Sequence, residues 1–213
     1  MLTRSNQFSS PHPFRVAAPA QPQEAFVWHL TSVKNLKSIL ENGLLSHTRV
    51  REFNLLKQDV SAHDVQLRRS RISAFDVPLH QFVPTFWVQR NPMMYRLRHR
   101  ANDLVWLQIA REKVNEASCV TATQNAASNG VQFKLGQCQA LLDWNILNAP
   151  VWNQFTNGGP IRGAELLVRD HIPVDAIVGM QVCSKATWNE VSYLVAHFRR
   201  FIPVHQAPYS FFW

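Results

Sequence analysis

Cysteine is scarce in this 213-residue chain, and the three present, Cys119, Cys138 and Cys183, are odd in number and widely spaced. There is no CxxC, no HExxH and no Cys/His pair at zinc-ligand spacing, so neither a disulfide framework nor a metal site is expected. Long apolar runs are missing as well. No stretch of about 18 residues is apolar enough to span a bilayer. The opening MLTRSNQFSSPHPFRVAAPAQPQE holds no continuous apolar segment of the kind a secretory signal needs. The expectation is a cytoplasmic protein with no membrane partner, its thiols reduced and packed as small hydrophobes. GxGxxG, GxxxxGK(S/T) and GxSxG are absent, which removes the usual support for Rossmann dinucleotide binding, P-loop phosphoryl transfer and α/β-hydrolase chemistry.

What is present is apolar and basic. Hydrophobic residues make up 46% of the chain and aromatics 11%, a load that excludes general disorder and is enough for one substantial core. Residues 1–25, rich in Pro, Gln, Ser and Ala, read as a mobile N-terminal arm, and residues 26–213 as a single domain. The 14 acidic residues face 22 Lys and Arg, a net charge of +8, and sixteen of those cations are Arg.

The order of residues predicts a mixed fold. Phe26 to Leu30 is short, aromatic and β-branched, as a buried strand is. A helix follows, with Thr31 or Ser32 as its cap, Val33, Leu36, Ile39 and Leu40 at helical spacing, and Gly43 as its left-handed end. Residues 49–71 lose periodicity and collect charge. Leu79 to Trp87 reads as extended, interrupted by Pro84, and 104–110, 119–122, 164–168 and 177–183 read as strands. Residues 136–147 and 187–198 read as helices. Strands outnumber helices and many lie too close in sequence for a crossover, so an α+β fold with mainly antiparallel pairing is expected.

The positive charge is concentrated. Residues 49–111 hold eleven cations and five acids, most of the net excess. Within them Arg90, Arg96, Arg98 and Arg100 form an acid-free cluster with Tyr95 and His99 interleaved, a composition suited to gripping phosphates and stacking on bases. A solvated basic face gives the same charge count, but solubility does not favour Arg over Lys as this cluster does.

Two polar residues sit inside apolar strands. His29 lies in Phe-Val-Trp-His-Leu and Glu165 in Gly-Ala-Glu-Leu-Leu-Val, where a carboxylate is expensive unless it has a partner or a role. Taken alone, His29 fits a satisfied structural residue, Glu165 an outward-facing surface residue and Arg68–Arg69 a plain surface pair.

These segments together resemble one family. Trp28 to Leu45 (WHLTSVKNLKSILENGLL), Val65 to Arg69 (VQLRR), Leu79 to Tyr95 (LHQFVPTFWVQRNPMMY) and Ala164 to Val168 (AELLV) are similar in order and spacing to the DarT family, NAD-dependent ADP-ribosyltransferase toxins that modify DNA bases. The resemblance implies an ADP-ribosyltransferase fold, a split antiparallel β core flanked by helices, with NAD in a cleft between the halves. It implies that His29 and Thr31 hold NAD with Asn35 and Gly43 nearby, that Glu165 is the catalytic acid, and that Arg69 acts beside the nicotinamide end and the incoming base. Arg90, Arg96, Arg98, Arg100 and Tyr95 then track a single strand, and a cognate antitoxin protein is expected as a partner. The chain departs from the family pattern at Phe82 and Phe86, where Tyr is usual, and at Gln81 and Gln89. These changes leave the chemistry standing and bear on the acceptor, so RNA is the alternative to single-stranded DNA. A transferase with a protein acceptor, an RNA 2′-phosphotransferase and a non-catalytic nucleic-acid binder are the competing readings.

Overall fold

A computed structural model of the chain describes residues 25–212. The expected arm lies outside them except for Ala25, as does Trp213. In chain order the elements are β1 (Phe26–Ser32), α1 (Leu36–Asn42), β2 (Leu44–Leu45), α2 (His47–Glu52), α3 (His63–Arg69), β3 (Ser73–Ala74), β4 (Val77–Pro78), β5 (Phe82–Phe86), α4 (Pro92–Leu97) and β6 (Leu104–Ala110). There follow β7 (Cys119–Ala122), β8 (Phe133–Leu135), α5 (Trp144–Asn148), α6 (Gly158–Arg162), β9 (Glu165–Arg169), β10 (His171–Ile172), β11 (Ile177–Val182), α7 (Lys185–His197) and β12 (Val204–Gln206). Eight strands form one sheet in the order β12-β11-β6-β1-β5-β9-β7-β8. Every pair in it is antiparallel, those of β1 with β5 and β6 included, except β11 with β12, which is parallel, giving the expected α+β class.

The sheet is split between its central strands. β1 pairs with β6 over seven residues but with β5 only at Trp28 and Phe86. Pro84 accounts for the opening. It has no N–H to donate, and residues of a strand direct N–H and C=O to the same side. Its carbonyl faces β1, where it meets His29 Nδ1 at 2.8 Å, so the missing donor faces β1 too. On its other side β5 pairs with β9 throughout. The proline is tolerated mid-sheet because it stands where the ladder has already parted.

Core packing follows from which strands are covered on both faces. β6 (LVWLQIA) is buried almost throughout, which is why it reads as a continuous apolar run rather than an alternation. On one face Val105, Leu107 and Ile109 meet Leu36, Leu40, Val191 and Val195 from α1 and α7. On the other, Trp106 and Leu104 pack with Leu30, Met94 and Phe211.

The helix after β1 begins as a 3-10 turn, Val33–Asn35, capped by the Ser32 side chain, before α1. Gly43 closes it at φ 77°, and a Cβ there would stand 2.4 Å from the Ile172 carbonyl, so both the turn and the approach of β10 require glycine. The helix expected over 136–147 is interrupted. A 3-10 turn, Gln139–Leu141, ends before Asp143, whose non-helical backbone lets its carboxylate cap α5 through the Ile146 amide. Residues 49–71, aperiodic in sequence, contain most of α2 and α3, helices of six and seven residues that are too short to display a period. No helix among the described residues is long and apolar enough to cross a membrane.

Candidate active site

Glu165 opens β9 and is 1% exposed. Charge there is tolerated because it is partnered. Arg69 Nη1 donates to Oε2 at 2.9 Å and to Oε1 at 3.2 Å, and the Ala126 amide donates to Oε1 at 3.0 Å. Arg69 comes from the last turn of α3 and is itself buried. One of its nitrogens, Nη2, is buried and has no hydrogen-bond partner among the described residues. A buried guanidinium nitrogen left in that state is costly, and a ligand carrying an acceptor oxygen would satisfy it.

Both residues line a cavity of about 170 Å³ at the split in the sheet, together with His29, Thr31, Asn35 and Gly43. All the residues assigned by resemblance to catalysis or NAD thus meet in one place, but their parts differ. His29 and Thr31 are two apart on β1 and share a face. The Pro84 carbonyl can only accept, so His29 carries its proton on Nδ1, and burial lowers its pKa. In the neutral ring Nε2 is an acceptor. Thr31 Oγ1 accepts from Asn35 Nδ2 at 3.1 Å, which leaves its own hydroxyl proton to donate.

Asn35 is fully engaged. Nδ2 also donates to the Gln58 carbonyl, and Oδ1 accepts from the Lys57 and Gln58 amides. Its amide has no bond left for a ligand. Its part is to pin residues 57–58 over the cavity, whereas the sequence placed it simply beside the cofactor.

A second, larger cavity of about 620 Å³ adjoins the first, and Ser61, Val65, Phe86, Met93 and Asn125 line both. Its wall is amide-rich, with Asn91, Asn125, Asn129 and Asn157, and carries the cations Arg68 and Arg96. The arginine cluster of the sequence is therefore divided. Only Arg96 reaches this cavity. Arg90 lies over the rings of Tyr209 and Phe212, Arg98 folds back over Tyr95, and Arg100 pairs with Asp103 at 3.8 Å.

Several residues of the site carried no signal in the sequence. The Ala126 amide holds the carboxylate from a loop of small polar residues, and a main-chain donor leaves no trace in residue type. His47 lines the first cavity with its ring 4.3 Å from that of His80. His80 Nε2 in turn meets Gln66 Oε1 at 2.8 Å, and Gln66 also lines the cavity. These contacts join segments distant in sequence.

The model of one family matches residues 28–213, and its description is "ssDNA thymidine ADP-ribosyltransferase, DarT". A DNA ADP-ribosyl transferase of Thermus aquaticus is 28% identical over 193 residues, covering 84% of this chain and 84% of that protein. Thermus sp. 2.9 DarT in complex with ADP-ribosylated ssDNA superposes with a TM-score of 0.79 at 24% identity, over 89% of this chain and 97% of that one. The same protein in complex with NAD+ gives 0.75 at 22% identity, over 89% and 98%. The split sheet, the buried Arg69–Glu165 pair and a family match over nearly the whole described chain agree: this chain belongs to the DarT family of single-stranded-DNA thymidine ADP-ribosyltransferases.

Proposed function

We propose that this chain transfers ADP-ribose from NAD to thymidine in single-stranded DNA, with the nicotinamide–ribose end of NAD in the smaller cavity and the base entering from the larger one. The observation that carries this reading is the Arg69–Glu165 pair beside the junction of the two cavities, with Arg69 Nη2 unpartnered. The acceptor of His29 Nε2 and the donor of the Thr31 hydroxyl suit a group that offers both polarities, such as a carboxamide or a ribose hydroxyl. Asn35 and Gly43 shape the cavity around it.

NAD supplies an ADP-ribosyl group whose bond to nicotinamide breaks with positive charge building on the sugar. Glu165, held by Arg69 and the Ala126 amide, meets that charge with a preorganised carboxylate. The ring nitrogen that thymidine has to offer is an imide N–H; it gives its proton up to solvent and bonds to the ribose C1′ as the bond to nicotinamide breaks and nicotinamide leaves neutral. Arg69 Nη2 offers a charge-assisted donor to the carbonyl oxygen on which the negative charge gathers. Arg96 and Arg68, at the wall of the larger cavity, supply cations for the adjoining phosphates. Single-stranded substrate avoids the unstacking cost, a few kcal/mol, that a duplex imposes.

A group on the imide nitrogen blocks the pairing edge of the base. That supports a toxin of a toxin–antitoxin or phage-defence pair, working in the cytoplasm where NAD and DNA meet, with an antitoxin protein as partner. The test is incubation with labelled NAD and thymidine-containing oligonucleotides, single-stranded, duplex and RNA. Label should enter single-stranded DNA, and Glu165→Gln should prevent it. No label on any strand, or equal label with Glu165→Gln, would overturn the reading.

A further inference from the structure

Beyond the cavities, three rings from distant segments meet edge to face. Tyr95 and Phe212 have centroids 5.4 Å apart, Trp152 and Phe212 5.7 Å, and Tyr95 and Trp152 6.4 Å. Around them guanidinium groups lie over ring faces, Arg98 at 4.1 Å from Tyr95 and Arg90 at 4.3 Å from Phe212. Tyr95 is 49% exposed, and Trp152 and Phe212 are half-buried. Aromatic side chains left part-open beside cations are uncommon in a face that serves solubility alone.

We propose that this cluster is a second nucleotide subsite, which stacks a base flanking the modified thymidine on the same strand. The inference rests on the proposed function and adds to it where the strand runs. Two observations favour a nucleic-acid strand as the occupant. The first is charge: residues 90–100 carry four Arg and no acid, and guanidinium groups beside open rings suit bases and phosphates together. The second is continuity. α4 carries Tyr95 in the cluster and Met93 and Arg96 in the wall of the larger cavity. Trp152 precedes the cavity-lining Asn157 and Gly159, with Gly158 packed against its carbonyl. The same two segments that shape the base cavity therefore present the rings.

Stacking is indifferent to base identity, because every base has a π face. The subsite adds affinity for length and little preference for sequence.

The experiment measures binding without NAD, by fluorescence anisotropy, of two single-stranded oligonucleotides. One has three nucleotides centred on thymidine and the other has three more on each side. For the unaltered protein, extension should tighten binding by about tenfold or more, the range set by one or two stacked bases. Tyr95→Ala and Trp152→Ala should each lose most of that gain, while Tyr95→Phe, which keeps a stacking face, should retain it. Thermal melting identifies any variant that fails to fold, and Tyr95→Leu and Trp152→Leu, which keep apolar bulk without a stacking face, then carry the comparison, with the gain lost in both. The proposal is overturned if extension brings no gain, if the alanine variants keep the gain, or if they weaken the short and long strands equally. Because no transfer is measured, these outcomes are separate from failure to label thymidine, which would count against the proposed function instead.

Discussion

Arg69 and Glu165 lie 96 residues apart in sequence and meet at 2.9 Å, both almost wholly buried. A buried pair of this kind contributes little net stability, because desolvation offsets most of the attraction, but removing one partner exposes the full cost of the other. The carboxylate is therefore held in place by a residue that also retains an unused donor, and the arrangement serves chemistry better than it serves the fold.

Glu165→Gln should keep the shape of the site and an acceptor oxygen for Arg69 while removing the negative charge. Loss of a preorganised electrostatic group of this kind costs about two to three powers of ten in rate, roughly 3–4 kcal/mol of barrier. Single-turnover transfer to an oligonucleotide should fall by about that factor. NAD affinity, measured by calorimetry, should change far less.

Arg69→Met should cost stability as well as transfer, and the loss of stability can be measured apart from the reaction. It leaves the Glu165 carboxylate buried with only the Ala126 amide, a situation that costs about 3–5 kcal/mol. For a chain of this size that corresponds to a fall in Tm of roughly 6–20 °C. Adding Glu165→Gln should restore part of the loss, since the stranded charge is then gone. A double variant no more stable than Arg69→Met alone would contradict the pairing.

Much of this was legible in the sequence, and the parts that were not share a cause. β6 and β9 show as apolar runs because burial on both faces imposes composition directly, and β1 and β11, half-buried at some positions, show through their aromatic and β-branched residues. Glu165 stood out for the same reason, as a charge where charge is costly. The short helices α2 and α3 did not show, since six or seven residues hold less than two turns. Nor did Asn35 disclose its part. The family resemblance implies a place near the cofactor, while the structure spends all four of its hydrogen bonds on Thr31 and residues 57–58. The arginine cluster was read as one tract, and ring contacts from the C-terminal residues divide it.

Three histidines set an acid limit. Burial lowers the pKa of His29, His47 and His80, and for the latter two the nearby Arg51, Arg69 and, for His47, His80 lower it further. Asp59 opposes the shift at both, and hydrogen bonds to Pro84 and Gln66 oppose it at His29 and His80. In the unfolded chain each binds a proton near pH 6.5. Below that value the unfolded state therefore holds more protons than the folded one. Stability should be full above about pH 6.5 and should fall with pH down to the folded values. Urea unfolding between pH 8 and pH 5 checks the sign, and His47→Gln should flatten part of the slope.

Asn35→Ala should loosen the segment over the smaller cavity without touching Arg69 or Glu165. It removes two donors and two acceptors, and the Gln58 amide and carbonyl lose their partner. The expected cost is about 1–3 kcal/mol for groups left part-buried and unsatisfied. Because Gln58 lines the smaller cavity and not the larger one, the proposed function has KM for NAD rise while KM for the oligonucleotide changes little. Steady-state kinetics with each substrate varied in turn separates the two.

Arg162 makes the matching prediction for the acceptor side. It is buried with no carboxylate beside it and is satisfied by main-chain carbonyls alone, those of Arg90 at 2.7 Å, Ile146 at 3.1 Å, Ala149 at 3.0 Å and Leu147. Burial and Arg90 bring its pKa down to about 10, so it stays charged at neutral pH. The planar fork spans acceptors from the start of α4, from α5 and from the turn that follows, which a Lys ammonium, three donors at one point, cannot do together. Arg162→Lys should therefore leave at least one carbonyl unpaired and shift the walls that carry Asn91 and Asn157. The expected result is a lower Tm and a several-fold higher KM for the oligonucleotide, with a much smaller change in KM for NAD, because of those segments only α4 reaches the smaller cavity, through Met93. Equal rises in both would mean that Arg162 supports the fold as a whole rather than the acceptor wall.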